Sequence, residues 1–302
     1  MDNTHTVRHI PVLAAEVLEH LGLQSGDTLV DATLGGAGHA LQAAERLGPT
    51  GRLIGLDRDP TMLAKARQRL EGLPRPPQLD LLHANFADLR SVLDHLGIDK
   101  VDAVLADLGF ASDQMDDAAR GLSFSGEGPL DMRLNPHAPL TAADLLADLS
   151  ERDLADLFYR FGEERFSRRI ARRIVQTRQQ QPLITTTQLA TLVRQCVPRS
   201  GRIDPATRVF QALRIAVNDE LGALSALLAD LPRVLRVGGR AVIISFHSLE
   251  DRLVKHAFRD RLVWDILTKK PIMARELECQ ANPRARSAKL RAAEYRPALA
   301  GS

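Results

Sequence analysis

A nine-residue run rich in glycine, Asp31–His39 (DATLGGAGH), contains the residues best suited to hold a nucleotide-like ligand. The residues before it, 28–30, predict the end of a short buried strand, and residues 40–47 predict a helix. Glycine lacks a Cβ atom, so the backbone can turn sharply and approach a ligand closely. The following helix directs free N–H groups and a partial positive charge towards that ligand. The pattern predicts a nucleotide-binding corner, and the alternative is a tight turn without a ligand.

An acidic residue further along the chain supports the nucleotide interpretation. The stretch 52–57 (RLIGLD) predicts a second strand ending at Asp57, where a carboxylate accepts hydrogen bonds from ribose hydroxyls. Asp59 precedes Pro60 and a predicted helix, which is the pattern of an N-cap residue. Leu41 replaces the third glycine of the dinucleotide fingerprint, so a pyrophosphate site is less favoured. S-adenosylmethionine, which has ribose and adenine but no phosphate, fits this variant.

Two further predicted strands end close to an aromatic residue. Strand 79–83 runs into Phe86, which could stack on an adenine or, equally, belong to the core. Strand 101–107 ends at Asp107, and Phe110 follows three residues later. This spacing resembles the loop of amino-group methyltransferases, where oxygen atoms accept hydrogen bonds from an NH2 group and an aromatic ring stacks on the base. Asp107 is therefore a candidate for contacting the nucleophile, the cofactor or both.

The elements that position these residues alternate between strand and helix. This alternation predicts an α/β fold with a Rossmann-like doubly wound sheet. Together with the corner that fits S-adenosylmethionine, it leads us to expect the class I S-adenosylmethionine-dependent methyltransferase type. His247 follows a fifth predicted strand, either as a catalytic group or as a helix-flanking residue in a hydrogen-bond network. Ser248 and Asp251 predict the capping box of the next helix. Stretches 264–267 and 290–296 predict the last two strands.

The alternation is interrupted in the middle of the chain. Residues 111–139 are rich in Gly, Ser, Asp and Pro, and capping boxes beginning at Thr141 and Ser150 then predict helices. Longer helices are predicted over 161–178 and from 209 through 231. We expect an inserted, mainly helical substrate-recognition domain at 113–207, with the methyltransferase domain divided into 1–112 and 208–302.

The charge is unevenly distributed along the sequence. The net charge is +2, yet residues 1–110 contain 10 Lys and Arg against 15 Asp and Glu, whereas residues 252–302 contain 12 against 5. The predicted helix 161–178 adds to the basic surface with Arg165, Arg168, Arg169, Arg172 and Arg173. The asymmetry favours a polyanionic partner, and the alternative is an ordinary solvated surface.

Composition also bears on compartment and metal binding. The only two cysteines, Cys196 and Cys279, have no metal-like spacing, so we expect no metal site and a reducing compartment. The N-terminal residues 1–9 are polar and show no signal-peptide core, and no apolar run has membrane-spanning length. We expect a cytoplasmic protein with no membrane partner. The sequence leaves both a monomer and a homodimer open.

Taken together, these motifs closely resemble the MraW/RsmH family of ribosomal small-subunit RNA methyltransferases. The resemblance covers nearly the whole chain. It is carried by seven segments: 9–13 (HIPVL), 56–60 (LDRDP), 128–133 (GPLDMR), 162–166 (GEERF), 208–221 (RVFQALRIAVNDEL), 244–252 (ISFHSLEDR) and 282–291 (NPRARSAKLR).

The resemblance implies transfer of a methyl group from S-adenosylmethionine to N4 of one cytosine in the decoding region, the P site, of 16S ribosomal RNA within the small subunit. It also implies cofactor contacts at seven positions: Ala37, Gly38, His39, Asp57, Phe86, Asp107 and Gln114. Two segments depart from the family pattern. The usual GRGGHS is GGAGHA at 35–40, and the usual LGVSSPQL is LGFASDQM at 108–115. The second departure changes the loop before Gln114.

Three other functions share some of these features. A DNA amino-methyltransferase would share the Asp107–Phe110 spacing and the basic surface. A nicotinamide-dependent oxidoreductase would share the fold, but the replaced third glycine argues against it. A non-catalytic ribosome-assembly factor would bind small subunits without methylating them.

Overall fold

A computed structural model of the protein describes residues 11–198 and 204–297. Within these ranges the chain forms one seven-stranded sheet. The strands are β1 (Thr28–Asp31), β2 (Arg52–Asp57), β3 (Gln78–His83), β4 (Val101–Asp107), β5 (Leu235–Ser245), β6 (Trp264–Ile266) and β7 (Lys289–Tyr295).

The order of the strands in the sheet is β3-β2-β1-β4-β5-β7-β6. Strands β1 to β5 pair in parallel, whereas β7 runs antiparallel to β5 and β6. The order reverses direction at β1, which makes this a doubly wound sheet with a topological switch point between β1 and β4. The fold class predicted from the sequence is confirmed, and the two tail strands are present.

The helices are α1 (Ala14–Leu21), α2 (Gly38–Leu47), α3 (Pro60–Glu71), α4 (Leu89–His95), α5 (Ser112–Asp116), α6 (Ala142–Asp148), α7 (Glu151–Gly162), α8 (Ser167–Arg178), α9 (Thr186–Cys196), α10 (Ala206–Asn218), α11 (Glu220–Val234), α12 (Ser248–Ala257) and α13 (Glu276–Ala281). None of the helices in the described part of the chain is long and apolar enough to cross a membrane.

The parallel strands are apolar on both sides because helices cover both faces of the sheet. On β1, Leu29 packs into the cluster that contains α1 and α2 residues, and the next residue, Val30, packs into the cluster that contains α4 and α11 residues. Leu53 and Ile54 on β2 divide in the same way. The sheet is therefore rigid where its strands end, and the residues at those ends have fixed positions.

The described residues divide into two compact units. The first comprises the chain up to Gly109 and from Gly222 onward, and it contains the sheet. The second, Phe110–Leu221, is helical and has its own core, in which Phe158, Ile170, Leu189 and Leu213 are fully buried. Because α10 contributes Leu213 to this core, it belongs to the helical unit, whereas the sequence assigned residues from 208 onward to the methyltransferase domain.

The local caps show how well short-range signals predict structure. The capping box predicted at Thr141 begins α6, whereas Ser150 begins α7 as an N-cap whose Oγ accepts a hydrogen bond from the Asp153 N–H at 3.1 Å. The side chain of Asp59 caps α3 by accepting a hydrogen bond from the Thr61 N–H at 2.9 Å. The box predicted at Ser248 is wrong. The N-cap of α12 is His247, paired with Glu250, and Ser248 is the first helical residue.

Two predicted long helices are each divided into two. The helix predicted over 161–178 breaks at Glu163, which has a φ of 50°. A Cβ atom on the preceding Gly162 would lie 2.5 Å from the Arg208 carbonyl oxygen, so this close approach requires glycine. The helix predicted from 209 to 231 breaks at Asp219, which has a φ of 46°. Residues 163–166 separate α7 from α8, whereas Asp219 alone separates α10 from α11. Both breaks depend on backbone conformation, which the spacing of apolar residues does not reveal.

Candidate cofactor and methyl-transfer site

The candidate site of the first unit lies at the carboxyl ends of its parallel strands. Asp31, Asp57 and Asp107 are the last residues of β1, β2 and β4, which are neighbours in the sheet. Since the three strands run in the same direction, the three carboxylates meet at one edge, next to the switch point. Ligands of doubly wound folds bind at that place.

The glycine-rich run forms the turn between β1 and α2. The Ala32 N–H donates to the Leu105 carbonyl oxygen at 2.8 Å, and the Leu34 N–H donates to the Leu56 carbonyl oxygen at 2.9 Å, so the turn is anchored to β4 and β2. Gly35 has a φ of 51°. The helix begins at Gly38, and its free N–H groups point back into the turn. This turn has the geometry that the sequence predicted for a nucleotide-binding corner.

Ala37 adopts a left-handed conformation although it is not glycine. Its φ is 62°, and it is the fully buried residue immediately before α2. The family pattern has glycine here, so the departure noted in the sequence falls on a residue under backbone strain.

Asp57 holds the turn and the start of α3 together. Its Oδ2 accepts a hydrogen bond from the Gly35 N–H at 2.7 Å, and its Oδ1 accepts one from the Asp59 N–H at 2.8 Å. Burial raises the pKa of this carboxyl to about 6, against the backbone N–H groups that lower it. A carboxylate oxygen has two lone pairs, so each oxygen can accept a further hydrogen bond from a ribose hydroxyl.

Asp31, His39 and Asp107 form a second polar group beside the turn. Asp31 is almost completely buried, and desolvation raises the pKa of its carboxyl to about 7 although the His39 imidazole counteracts part of this rise. The His39 Nε2 lies 3.6 Å from the Asp107 Oδ2. The Asp107 backbone N–H donates to the Thr33 Oγ1 at 2.6 Å, which fixes the end of β4 against the turn.

Two buried polar atoms of this group have no hydrogen-bond partner within the described chain, the His39 Nε2 and the Asp107 Oδ1. Burying such atoms unpaired costs free energy, so their presence indicates a ligand that pairs with them. One is a carboxylate acceptor and the other is an imidazole nitrogen. A ligand that carries amino, hydroxyl and carboxylate groups fits this pair, as the non-adenine part of S-adenosylmethionine does.

Phe86 follows β3 at the same edge of the sheet. Asn85 starts a short 3-10 turn there, its Oδ1 accepting a hydrogen bond from the Ala87 N–H at 3.1 Å. The Phe86 ring is half-buried against the cluster beneath the sheet. One part of the ring therefore serves the core, and the exposed part leaves the predicted adenine contact as a prediction.

Phe110 and Gln114 belong to the second unit. The Arg214 guanidinium lies 4.9 Å from the centroid of the Phe110 ring and forms a two-contact ion pair with Glu220, at 2.8 and 3.0 Å. Gln114 is buried, and its Oε1 accepts a hydrogen bond from the Ala111 N–H at 2.9 Å. The predicted roles of both residues, base stacking and cofactor binding, remain predictions.

His247 has a structural position. Its side chain caps α12, and its Nε2 lies 3.2 Å from the Glu250 Oε1. This position matches the helix-flanking alternative considered for His247. Its Nε2 is nevertheless a buried atom without a hydrogen-bond partner in the described chain, so the catalytic alternative stays a prediction.

The basic regions differ in how exposed their side chains are. Arg165 is exposed, and so are four of the five arginines of α8. We call these four the α8 arginines: Arg168, Arg169, Arg172 and Arg173. In the basic C-terminal region 252–302, by contrast, Arg291 of β7 is buried and its Nε donates to the Asp251 Oδ1 at 2.7 Å. Arg291 therefore stabilises the fold and does not belong to the exposed basic surface.

Three residues of the site were not singled out from the sequence. Asp31 ends a strand as Asp57 and Asp107 do, and that repeated position was a usable signal. Thr33 and Arg214 gave no such signal, because their partners, the Asp107 N–H and the Phe110 ring, are 74 and 104 residues away in the chain.

A doubly wound sheet with this turn, a carboxylate at the end of β2 and unpaired polar atoms at the end of β4 defines a nucleotide-cofactor enzyme, and the replaced third glycine favours the methyltransferase class. Comparison with known proteins supports this. The sequence profile of the MraW methylase family matches residues 6–296, and the chain belongs to that family. The methyl donor of the family is S-adenosylmethionine.

Several curated relatives carry the name "Ribosomal RNA small subunit methyltransferase H". The relative from Koribacter versatilis is 50% identical over 297 residues, covering 94% of this chain and 93% of its own length. One from Synechococcus sp. strain JA-2-3B'a(2-13) is 53% identical, covering 95% and 91%. Among solved structures, Aeropyrum pernix fibrillarin with natively bound S-adenosyl-L-methionine matches 93% of this chain and 72% of that chain, with 11% identity and a TM-score of 0.41.

Proposed function

We propose that the protein methylates ribosomal RNA, transferring a methyl group from S-adenosylmethionine to N4 of one cytosine in the decoding region, the P site, of 16S ribosomal RNA in the small subunit. The names of relatives about half identical over the whole chain support the RNA substrate. The observation that carries the chemistry is the buried, unpaired Oδ1 of Asp107 at the end of β4. That substrate would place the protein's activity in the cytoplasm.

In this proposal, different residues of the first unit bind different parts of the cofactor. Asp57 accepts hydrogen bonds from the ribose hydroxyls, and Phe86 lies against the adenine. The backbone at Ala37 and Gly38 comes close to the ligand because the turn has no bulky side chain there. His39 and Asp107 bind the remaining polar groups, and the family resemblance implies a further cofactor contact at Gln114.

The chemical step needs positioning and one well-placed acceptor. The bound cofactor supplies a methyl group on a positively charged sulfur. The N4 lone pair of cytosine is delocalised into its ring, so the nucleophile is weak and must be held in line with the methyl group; such positioning supplies several kcal/mol. The sulfur would keep the electron pair of the broken C–S bond as N4 gains the methyl group, and N4–H becomes more acidic. The Asp107 carboxylate would stabilise that change by accepting a hydrogen bond from N4–H and then the proton, which passes to water.

The target base must leave its stack to reach a site at the end of a strand. Phe110 stacks on the extruded cytosine in this proposal, and the Arg214–Glu220 pair fixes the orientation of its ring. The α8 arginines contact phosphates of the RNA, which would make binding depend on salt.

A comparison of methyl acceptors tests this function. Purified protein and tritiated S-adenosylmethionine are incubated with small subunits lacking the modification, with free 16S RNA and with duplex DNA. Incorporation into small subunits supports the proposal. Incorporation into DNA alone would indicate a DNA methyltransferase, and binding of subunits without incorporation would indicate an assembly factor; either result contradicts it.

A further inference from the structure

A groove beside α8 and α9 in the second unit has no part in the chemistry described above. Its volume is about 390 Å³. The lining is dominated by neutral side chains that can both donate and accept hydrogen bonds. These are Thr177, Gln181, Thr187, Gln188, Thr191 and Gln195.

The floor of the groove is apolar. Leu183 and Leu192 are both buried, and they lie among the residues lining it. A flat heterocycle fits such a site, because its face can pack on apolar groups while its edge forms hydrogen bonds with amides and hydroxyls. Carboxamide side chains such as Gln pair with base edges through an acceptor and a donor together.

Some of the polar lining groups are available for a ligand. Gln188 uses its Oε1 to accept hydrogen bonds from the Ile184 and Thr185 N–H groups, at 2.9 and 3.0 Å, which leaves its NH2 group as a donor. Thr191 and Gln195 are exposed, one turn apart on the same face of α9. With three amides and three hydroxyls around an apolar floor, the groove would recognise a ligand by its shape and its hydrogen-bonding groups rather than by its charge.

Only one charged residue lines the groove, Arg173 of α8. Arg169 lies one turn before Arg173 on the same side of α8. Two exposed arginines next to a neutral groove match a nucleotide, whose phosphates bind cations while its base enters the groove.

We propose that this groove binds the base of one unpaired nucleotide of the substrate RNA, a nucleotide other than the cytosine that is methylated. The proposal rests on the proposed function for the identity of the RNA. It gives the helical unit a sequence-reading role in addition to the phosphate contacts of the α8 arginines. Extruded or looped nucleotides are the form in which proteins read RNA sequence.

A double variant with a matched control tests the assignment. Thr191→Ala with Gln195→Ala removes two base-edge contacts, and both residues are exposed on a helix, where alanine preserves folding. Gln179→Ala with Gln180→Ala is the control, because these exposed glutamines adjoin Gln181 but do not line the groove.

Binding is measured by fluorescence anisotropy with a fluorescein-labelled unpaired RNA oligonucleotide, and KM and kcat are measured with small subunits. We expect the groove variant to raise the oligonucleotide Kd and the subunit KM by about fivefold or more. The affinity of the groove variant for S-adenosylmethionine should equal that of the wild type. The control variant should match the wild type in oligonucleotide Kd and in subunit KM. The slope of binding against salt should not change for the groove variant, whereas Arg173→Gln should reduce it by about one.

The outcomes separate this proposal from the proposed function. A groove variant that binds the oligonucleotide as the wild type does overturns the nucleotide assignment; if its subunit KM still rises, a ribosomal protein occupies the groove instead. If the wild type does not methylate subunits but the groove variant loses oligonucleotide binding, the proposed function fails while the groove assignment stands.

Discussion

The affinity for the cofactor should depend on pH through Asp57. Burial raises the pKa of this carboxyl to about 6 in the cofactor-free protein. Only the ionised form accepts hydrogen bonds from both ribose hydroxyls, so the neutral form must lose its proton before binding. The Kd should therefore increase by a factor of 1 + 10^(6−pH), about twofold at pH 6 and about elevenfold at pH 5, relative to its value at high pH.

Ionisation of Asp57 strengthens cofactor binding, but it lowers the stability of the folded protein. Because the folded-state pKa of Asp57 lies above its unfolded value of 3.8, the folded protein binds more protons between about pH 4 and pH 6. The contribution of Asp57 to the free energy of unfolding is therefore greatest at acidic pH and is lost as pH rises through that window. A bound ligand that pairs with the carboxylate lowers the pKa again and should release a proton.

Calorimetric titration with S-adenosylhomocysteine from pH 5 to pH 7 measures this effect. Asp57→Asn keeps one acceptor oxygen for the turn but cannot titrate, so its affinity should be lower at pH 7 and nearly constant below pH 6. Asp99→Asn, on the exposed surface of the same unit, is the control and should behave as the wild type. Asp31 is present in every variant, so the difference between the curves isolates Asp57. Parallel curves for the wild type and Asp57→Asn would refute the ribose assignment.

Asp107→Asn should slow single-turnover methylation at saturating S-adenosylmethionine by about 10²–10³-fold, because it weakens an acceptor used in the transition state. A wild-type rate for this variant in single-turnover assays would show that Asp107 has no role in the chemical step. Changing all α8 arginines to glutamine should weaken subunit binding and flatten its salt dependence while cofactor affinity stays constant. An unchanged slope in filter-binding assays would make them an ordinary solvated face. The free energy of unfolding of the Glu163→Gly variant should be about 1 kcal/mol higher than that of the Glu163→Ala variant, because glycine adopts the φ of 50° found at this position without strain and alanine does not. The reverse order in denaturant titrations would contradict the strain at the end of α7.

The sequence predicted most of what depends on short-range chemistry. The run at 31–39, the carboxylates at 57 and 107 and the caps at Asp59, Thr141 and Ser150 are each specified by neighbouring residues, and each has its predicted position or local structure. The fold class could be predicted because parallel strands buried on both faces leave a continuous apolar pattern.

The features that the sequence did not predict depend on contacts between distant residues. The break at Glu163 follows from the approach of Gly162 to Arg208, and α10 joins the helical unit because Leu213 packs with Phe158. The groove beside α8 and α9 needs two helices at a fixed distance, and no pattern within either helix reveals it. Such features are determined by long-range packing, which the spacing of apolar residues along the sequence does not indicate.

Analysis of the methylated nucleoside tests the central claim most directly. Small subunits lacking the modification are methylated with labelled S-adenosylmethionine, and their 16S RNA is digested to nucleosides and separated by chromatography with mass detection. We predict that the label appears in N4-methylcytidine, at a single position in the decoding region. Label in another nucleoside, in several positions or in no RNA at all would contradict the account.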